Sequence, residues 1–364
     1  MKKIGIIGGG QLGMMMAEAA HQLGFQVIVL DPTPLCPCGQ IAEEQIIANY
    51  DDVIKIEELC QKTDVVTYEF ENIPYSSVKE LKTKYNIPQG ELPLFLSQHR
   101  LREKKAAVEA GIKCSDYFSV NSVFGLSRAI KAIGYPSVLK SCSGGYDGKG
   151  QVVLHSAAQL PEAVILSASS ECMLEKFIPF DCEISVIVTR SIHGEISTLP
   201  VSQNIHKDNI LFMSIIPASI SENVLKKADE MARKMMLHLG FVGTLAIELF
   251  VVGDDVLFNE MAPRPHNSGH YSIEGCVTSQ FEQHIRAITG MPLGSTTLKQ
   301  PTIMVNYLGQ HIEGIKKLRE ADLPSIFIHD YGKVEAKHNR KMGHVTFLNY
   351  TKEEVSDLLR FFRV

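Results

Sequence analysis

Residues 257–270 read Leu-Phe-Asn-Glu-Met-Ala-Pro-Arg-Pro-His-Asn-Ser-Gly-His. The apolar start predicts a strand that carries the carboxylate of Glu260 and then gives way to a segment rich in basic and polar side chains. Residues 242–252 predict a second strand, and Gly253-Asp254-Asp255 has the composition of a turn. If the hairpin folds about the middle residue of that turn, Glu248 lies directly across from Glu260 on one face of the sheet.

Two opposed glutamates destabilise a sheet unless a positive group lies between them. Glu248 and Glu260 both belong to strongly apolar strands, which disfavours the alternative of two solvated surface carboxylates. A hard divalent cation that prefers oxygen ligands, above all Mg²⁺, would satisfy both carboxylates. The two glutamates are therefore predicted metal ligands.

The totals of the chain limit the classes of protein that it can represent. Its 364 residues suggest two or three domains, and its net charge of −5 argues against a nucleic-acid binder held by its overall field. No apolar run approaches the roughly 20 residues of a membrane span. The charged start resembles the tip of a signal peptide, but Gly8-Gly9-Gly10 interrupts it, so we expect a cytoplasmic protein. Eight dispersed cysteines predict free thiols in a reducing compartment, and no zinc site is expected.

The first 95 residues predict a doubly wound α/β unit that binds a nucleotide or a phosphate. Strands are predicted at 3–7, 26–30, 45–48 and 65–68, with helices at 11–23, 53–62 and 76–84. The motif Gly8-x-Gly10-x-x-Gly13 follows the first strand, and Asp31 stands where a dehydrogenase places its ribose-binding acid. A nicotinamide-dependent dehydrogenase is therefore an open alternative at this point. The acidic residues 69–72 follow the strand at 65–68, at the sheet edge where such folds place ligands.

A second glycine-rich segment follows an apolar strand that ends in Lys140. Residues 144–151 read Gly-Gly-Tyr-Asp-Gly-Lys-Gly-Gln, and another strand is predicted at 151–154. The segment is not a Walker loop, because it lacks the Gly-x-x-x-x-Gly-Lys-Ser/Thr spacing. Its N–H groups, together with Lys140 and Lys149, could close over a polyphosphate as a hairpin flap.

The remaining pattern predicts further strands and helices and a small basic module at the end. A charged helix at 97–110 carries Arg100, Arg102, Lys104 and Lys105, most of which we expect on a solvated face. The strand at 172–178 ends in Glu175-Lys176-Phe177-Ile178, which could contact a nucleotide base. Residues 203–208 have the composition of a polar loop, and Ser221 is a predicted helix cap. Other strands are predicted at 116–120, 181–190, 196–201 and 302–308, and other helices at 123–133, 221–239, 279–289 and 352–362.

A glycine turn, a flap beside a lysine and two opposed glutamates, in this order, resemble the ATP-grasp superfamily. Five segments also resemble the N5-carboxyaminoimidazole ribonucleotide synthetase family of purine biosynthesis: 8–13, 67–72, 144–151, 262–270 and 340–344. The resemblance spans nearly the whole chain and implies an α/β and α+β ATP-grasp fold. It implies a Rossmann-like pre-ATP-grasp domain at 1–96, a central flap domain at 97–180 and a C-terminal sheet domain at 181–364, with the basic end module from about 295.

The resemblance implies an ATP-dependent carbon–nitrogen ligase. Bicarbonate and ATP would form carboxyphosphate, which carboxylates the 5-amino group of aminoimidazole ribonucleotide and leaves ADP and phosphate. ATP and Mg²⁺, with Mn²⁺ as a second candidate, are implied, as are small-molecule partners only, no nucleic acid, no membrane, and a homodimer. Another ATP-grasp ligase, such as a formate-dependent ribonucleotide transformylase, is the alternative within this class. A dehydrogenase leaves the flap, the glutamate pair and the basic module unexplained, and a catalytically silent regulatory protein is disfavoured because Lys140, Glu248 and Glu260 are all present.

The resemblance also assigns expected roles to residues. Glu248 and Glu260 would bind the metal, and Ala262 stands where many ATP-grasp enzymes carry an asparagine, so Asn259 or water would complete the metal shell. The ribonucleotide would contact Gln11, Glu71, Asn267, Ser268, Lys333 and Arg340. Catalytic roles fall to Tyr146, Asp147, Arg264, His266 and Asn267. ATP would contact Arg100, Lys140, Gly145, Tyr146, Asp147, Gly148, Lys149, Gly150, Gln151, Glu175, Lys176, Phe177, Ile178, Glu183, His206, Asn259 and Glu260.

Overall fold

The computed structural model describes residues 2–144 and 150–364. Its first sheet has four parallel strands in the order β3-β2-β1-β4. Ile4 and Ile6 of β1 pack on one face of the sheet and Ile7 on the other, so the strands are apolar on both sides. This arrangement confirms the predicted doubly wound unit. Its elements are β1 Lys3–Ile7, α1 Gln11–Gln22, β2 Gln26–Leu30, β3 Glu44–Ile46, α2 Val53–Lys62, β4 Val65–Tyr68 and α3 Tyr75–Leu81.

The second sheet is antiparallel, in the order β5-β8-β6-β7, and two helices precede it. The predicted helix at 97–110 is confirmed as α5, although it begins three residues later, at Arg100, and a separate short helix, α4, precedes it. Gln98 Nε2 donates to two carbonyls of another segment, and the Arg100 N–H donates to the Cys142 carbonyl, so tertiary hydrogen bonds replace helix continuation. The elements are α4 Leu92–Ser97, α5 Arg100–Glu109, β5 Tyr117–Val120, α6 Val123–Ile133, β6 Ser137–Ser141, β7 Gln151–Leu154, α7 Leu160–Ser169 and β8 Cys172–Lys176.

The third sheet has nine strands in the order β14-β13-β9-β11-β12-β15-β17-β16, with β10 paired to β9. The predicted Ser221 cap of α8 is confirmed, since its side chain accepts from the Val224 N–H. The elements are β9 Cys182–Arg190, β10 Ile196–Thr198, β11 Ser202–Lys207, β12 Ile210–Ile216, α8 Glu222–Leu239, β13 Gly243–Val252, β14 Asp255–Ala262, α9 Ser272–Gly275, α10 Gln280–Thr289, β15 Thr302–Leu308, α11 Ile312–Glu320, β16 Ile326–Asp330, β17 Lys341–Leu348 and α12 Lys352–Phe362.

The polar loop predicted at 203–208 is wrong, because most of this segment forms β11. Asn204 is buried inside the sheet, where its Nδ2 donates to Ser185 Oγ at 2.6 Å and its Oδ1 accepts from Ser214 Oγ at 2.9 Å. Buried polar side chains are tolerated when they are hydrogen-bonded in this way. A polar composition therefore did not indicate solvent exposure here.

The hairpin of β13 and β14 places Glu248 opposite Glu260, as predicted, but its turn and its register differ from the prediction. The turn has two residues, so Val252 pairs with Asp255 and Leu249 with Phe258. A β-bulge then shifts the register by one residue, which leaves Asn259 as the extra residue. The bulge is therefore what brings the two carboxylates to one face of the sheet.

All eight cysteines are free, which confirms that expectation. Within the described parts of the chain, no helix is both long and apolar enough to cross a membrane. The domain bounds at residues 96 and 180 stay predictions.

Candidate active site

Two carboxylates of the protein itself close the glycine turn after β1. Asp31 Oδ2 accepts hydrogen bonds from the Gly9 N–H at 2.7 Å and from the Tyr50 hydroxyl at 2.6 Å. Glu69 Oε1 accepts from the Gly10 N–H at 2.8 Å. Dehydrogenases use such N–H groups for the pyrophosphate and such an acid for the ribose. Both are already engaged here, which contradicts the dehydrogenase alternative.

Lys104 of α5 is buried, although most of the four cations on this helix were expected on a solvated face. Its residue exposure is 1%, and its Nζ lies 2.7 Å from Glu175 Oε1 and donates to the Phe258 carbonyl at 2.9 Å. Lys105, one residue further, has a side chain that is 72% exposed. The prediction was therefore wrong for the helix face that packs against β14.

Glu103 lies on that same face and was not singled out by the sequence. It is buried, and its Oε1 accepts from the Met261 N–H at 2.5 Å. Burial, and then the nearby charge of Glu260, raise the pKa of Glu103 to about 8. Arg100, Glu103 and Lys104 have i, i+3 and i+4 spacing, and this shared helix face is the signal that could have identified them.

Lys140 stands at the end of β6 and pairs with the same buried glutamate as Lys104. Its Nζ lies 2.8 Å from Glu175 Oε2, and the Ser115 hydroxyl also contacts Glu175. Although burial acts in the opposite direction, Lys104 and Lys140 hold the pKa of Glu175 well below its usual range. The carboxylate of Glu175 thus fixes Lys140 in place.

Two backbone donors at the end of β8 are used within the protein. The Lys176 N–H donates to the Asp116 carbonyl at 2.9 Å, and the Phe177 N–H donates to the Pro136 carbonyl at 3.1 Å. The Ile178 carbonyl accepts from the Phe180 N–H. The contacts predicted for residues 175–178 therefore stay a prediction.

The two predicted metal ligands face each other at the edge of the large sheet. Glu260 Oε2 lies 3.2 Å from Arg100 Nη1, and Glu248 Oε1 lies 3.3 Å from His266 Nε2. Burial and the charge of Glu260 raise the pKa of Glu248, whereas Arg100 and Lys140 outweigh burial and lower the pKa of Glu260. Arg100 neutralises only one of the two carboxylates, Glu260. The pair therefore has room in its charge balance for a divalent cation.

A second acid–base pair lies beside Glu248. Glu183 of β9 and His206 of β11 form an ion pair, and Glu183 raises the pKa of His206 although burial opposes the shift. Protonated His206 in turn opposes the rise in the pKa of Glu248 that burial and Glu260 cause. His206 follows a register shift in β11, so its position could not be read from strand alternation.

Arg264 connects the segment after β14 to the first sheet. Its Nη2 lies 2.8 Å from Glu71 Oε2. Burial raises the pKa of the nearby Glu69 carboxyl, and the charge of Arg264 opposes that rise. The structure therefore brings the acidic end of β4 and the 263–270 segment together, as the resemblance implied.

His266 is held as a neutral imidazole. Gln280 binds its backbone on both sides, accepting from the His266 N–H at 2.9 Å and donating to its carbonyl at 2.7 Å. Burial, and then Arg264, keep the pKa of His266 well below its ordinary value. Nδ1 accepts from the Ser268 N–H at 3.3 Å and lies 2.9 Å from the Ser268 hydroxyl. The ring proton is therefore on Nε2, which lies 3.3 Å from a carboxylate oxygen of Glu248.

Asn267 carries a polar amide with no partner in the part of the chain that the structure describes. Both its Oδ1 and its Nδ2 are buried, and neither makes a hydrogen bond there. Unpaired buried amides are costly, so such a group indicates a ligand or water contact. Ser268 beside it is fully buried.

Two cations that were predicted to contact the ribonucleotide come from the end module. Lys333 Nζ donates to the Lys341 carbonyl at 2.8 Å, and burial together with Arg340 lowers the pKa of Lys333 to about 8. Glu69 opposes this shift, which places the lysine within electrostatic reach of the first sheet. Arg340 is exposed, and its Nη1 donates to the Glu335 carbonyl at 2.9 Å.

The remaining predicted site residues belong to the two glycine-rich segments, and five of them lie outside the described ranges. Gly145, Tyr146, Asp147, Gly148 and Lys149 lie outside the described residues. The Gly150 carbonyl accepts from the Ser141 N–H, and Gln151 pairs with Lys140 across β6 and β7. Gln11 begins α1, directly after the glycine turn.

Three family models match the chain in succession. The ribonucleotide synthetase pre-ATP-grasp domain matches residues 1–93, the ATP-grasp domain residues 105–281, and the phosphoribosylaminoimidazole carboxylase C-terminal domain residues 302–357. The predicted ATP-grasp fold with its pre-ATP-grasp domain is thereby confirmed.

Relatives agree over nearly the full length. The N5-carboxyaminoimidazole ribonucleotide synthase of Bacillus subtilis is 48% identical, over 96% of this chain and 92% of its own. The N5-carboxyaminoimidazole synthetase of Staphylococcus aureus complexed with ADP is 43% identical, with a TM-score of 0.95 over 99% of this chain and 97% of its own. The Aspergillus clavatus N5-carboxyaminoimidazole synthase in complex with ADP and 5-aminoimidazole ribonucleotide is 30% identical, with a TM-score of 0.92 over 100% and 97%. The chain therefore belongs to the N5-carboxyaminoimidazole ribonucleotide synthase family of ATP-grasp ligases.

Proposed function

We propose that the protein carboxylates the 5-amino group of 5-aminoimidazole ribonucleotide, using ATP and bicarbonate and releasing ADP and phosphate. The observation that carries this proposal is the contact between two half-sites. His266, in the segment that includes Asn267, lies 3.3 Å from Glu248 of the carboxylate pair. Phosphoryl transfer and the acceptor amine would thus meet at one place, which a short-lived acyl phosphate requires.

The nucleotide half-site is built around two cations and two carboxylates. Lys140, fixed by Glu175, and Arg100, paired with Glu260, are suited to the phosphates of ATP. Glu248 and Glu260 would hold Mg²⁺, or Mn²⁺ as the alternative, and the bound metal would neutralise charge on the transferring phosphoryl group. The further ATP contacts that we propose are Gly145 to Gln151, Glu175 to Ile178, Glu183, His206 and Asn259.

The acceptor half-site lies where the end of β4, the 263–270 segment and the end module approach one another. The unpaired amide of Asn267 would bind bicarbonate or the aminoimidazole. Lys333 and Arg340 would bind the ribose 5-phosphate, because a buried ammonium and a nearby guanidinium favour a dianion. Gln11, Glu71 and Ser268 would complete the ribonucleotide site.

The reaction needs positioning and charge stabilisation more than a protein nucleophile. A bicarbonate oxygen would attack the γ-phosphorus, and the bond to ADP would break with its electron pair on ADP. The 5-amino nitrogen would then attack the carbonyl carbon of carboxyphosphate, phosphate would leave, and the nitrogen would lose a proton. Tyr146, Asp147, Arg264, His266 and Asn267 are the proposed catalytic residues. Neutral His266 would orient Glu248 through its Nε2–H and would not act as a strong acid.

The test is ADP release by purified protein with bicarbonate and aminoimidazole ribonucleotide, each omitted in turn. We expect stoichiometric ADP and carboxylated product only when both are supplied. Equal ADP release with formate and another ribonucleotide would instead assign the protein to a transformylase reaction. Asn267→Leu should lose at least about tenfold in kcat/KM, because a buried amide partner worth more than about 1 kcal/mol is removed.

We also propose a cytoplasmic homodimer. The eight free thiols suit a reducing compartment. Leu35, Ile47 and Ile54 are strongly exposed and belong to the region around the edge strand β3, which favours self-association there. Sedimentation should give a dimer, and Ile54→Glu should weaken it while Ile165→Glu, at an exposed position of α7, should not.

A further inference from the structure

Three side chains with metal-binding atoms meet outside the proposed ATP and ribonucleotide sites. His99, Cys142 and Glu171 bring one nitrogen, one sulfur and one carboxylate oxygen within 4.8 Å of one another. Among residues 2–144 and 150–364, they are the one group of at least three such side chains that satisfies this distance. The His99 Nε2 lies 3.2 Å from a Glu171 carboxylate oxygen.

The backbones of the three residues are tied directly to one another. The Cys142 N–H donates to the Glu171 carbonyl at 2.9 Å. The Cys142 carbonyl accepts from the N–H of Arg100, the residue after His99, also at 2.9 Å. The positions of the ligands are therefore set by hydrogen bonds between segments that are distant in sequence, and only side-chain rotation is needed to adjust them.

The donor set indicates a borderline-soft cation. Imidazole nitrogen, thiolate sulfur and carboxylate oxygen together are typical ligands of Zn²⁺, whereas Mg²⁺ avoids sulfur. In a tetrahedral Zn²⁺ site these atoms would be about 3.3 to 3.7 Å apart, so the group must contract slightly. The Glu171 side chain is 51% exposed, which gives a cation access from solvent, and a water could supply the fourth ligand.

A reactive nucleophile is a poorer explanation for Cys142. Burial, and then the charge of Glu171, raise the pKa of this thiol to about 12, so without a cation it stays protonated. His99 is largely buried, with a side chain that is 13% exposed, and its Nδ1 makes no hydrogen bond within the described residues. The imidazole can therefore rotate to present either nitrogen without losing an Nδ1 partner.

We propose that His99, Cys142 and Glu171 form a binding site for one thiophilic divalent cation of the Zn²⁺ class, separate from the carboxylate pair. The site joins the start of α5 to β6 and β8. It lies one residue from Arg100, whose guanidinium contacts Glu260, and directly before residues 143–150 that follow β6. Occupancy would fasten the start of α5 to the base of the flap segment. The proposal does not depend on the proposed function.

The test is a titration of the intact protein with Co²⁺, a spectroscopic substitute for Zn²⁺, in excess Mg²⁺. We expect a thiolate-to-cobalt charge-transfer band in the near ultraviolet that saturates at one equivalent and is displaced by Zn²⁺. Cys142→Ser should abolish the band. His99→Ala and Glu171→Gln should each weaken Zn²⁺ binding by at least about tenfold, since even outer-shell changes cost that much at metal sites.

The matched control is Cys182→Ser, which removes a half-buried free thiol elsewhere and should leave the band and the affinity unchanged. Glu171→Gln changes a half-exposed side chain, so it tests the site even if Cys142→Ser fails to fold. The proposal is overturned if the wild-type protein shows no thiolate band, if the band survives Cys142→Ser, or if Glu171→Gln and His99→Ala bind Zn²⁺ as tightly as the wild type.

Discussion

Replacing Glu103 by glutamine should stabilise the ligand-free protein increasingly as the pH rises. The buried Glu103 carboxyl has its pKa raised from 4.5 to about 8, so the folded protein binds more protons than the unfolded chain between these values. Stability contributed by this group therefore falls as the pH rises through that window, and the full penalty is present above it. At about 1.36 kcal/mol per pKa unit, the cost is about 1 kcal/mol at pH 5, about 3 kcal/mol at pH 7 and approaches about 5 kcal/mol above pH 8.

The side-chain amide introduced by Glu103→Gln has no such penalty and can still accept the hydrogen bond from the Met261 N–H. The assay is thermal unfolding of both proteins without metal or nucleotide at pH 5, 7 and 9. The gain in Tm of Glu103→Gln should grow across the series. Glu109→Gln, on the same helix with a side chain that is 53% exposed, should show no such trend. A Tm difference independent of pH, or a loss of stability at pH 9, would refute the assigned protonation of Glu103.

Three further predictions concern the site and its support. Glu260→Gln should abolish nearly all turnover by removing several kcal/mol of metal-mediated stabilisation, and near-normal kcat would contradict the metal assignment. Lys333→Ala should raise the ribonucleotide KM by roughly tenfold. The control Lys337→Ala, at a side chain that is 71% exposed, should leave this KM unchanged. A change confined to the KM for ATP would place the phosphate site elsewhere. Lys104→Met should cost about 3 to 5 kcal/mol of stability, because it breaks a buried pair with side chains 2% and 4% exposed; an unchanged Tm would show that Lys140 alone satisfies Glu175.

Much of the fold could be predicted because its strands and caps follow simple periodic rules. The alternation and length of the apolar runs correctly located β1, β2, β4 and β7, and the Ser221 cap set the start of α8. The glutamate pair was identified because two carboxylates in apolar strands are unusual. The helix α11 was missed, and its N-cap residue makes no side-chain cap hydrogen bond. The strand β12 was also missed, although Asp208 and Asn209, both at positive φ, form the two-residue turn that joins it to β11.

The errors arose where long-range contacts override local composition. Lys104 belongs to four cations of one helix, most of which were expected in solvent, but Glu175 from a strand pairs with it. Asn204 was placed in a loop although two serines from neighbouring strands hold it inside the sheet. Asp31 looked like a ribose ligand until its partners, Gly9 and Tyr50, were visible. None of these partners is adjacent in sequence.

The bulge at Asn259 changes which residues of β13 and β14 face one another. Before the bulge, paired residue numbers sum to an odd total, as for Val252 and Asp255, and after it they sum to an even total, as for Glu248 and Glu260. If Asn259 were paired in the ladder and no bulge formed, the odd total would continue, so Glu248 would face Asn259 while Glu260 would move opposite Ile247. One residue between the turn and the carboxylates thus determines whether the two charges meet, although it changes neither of them.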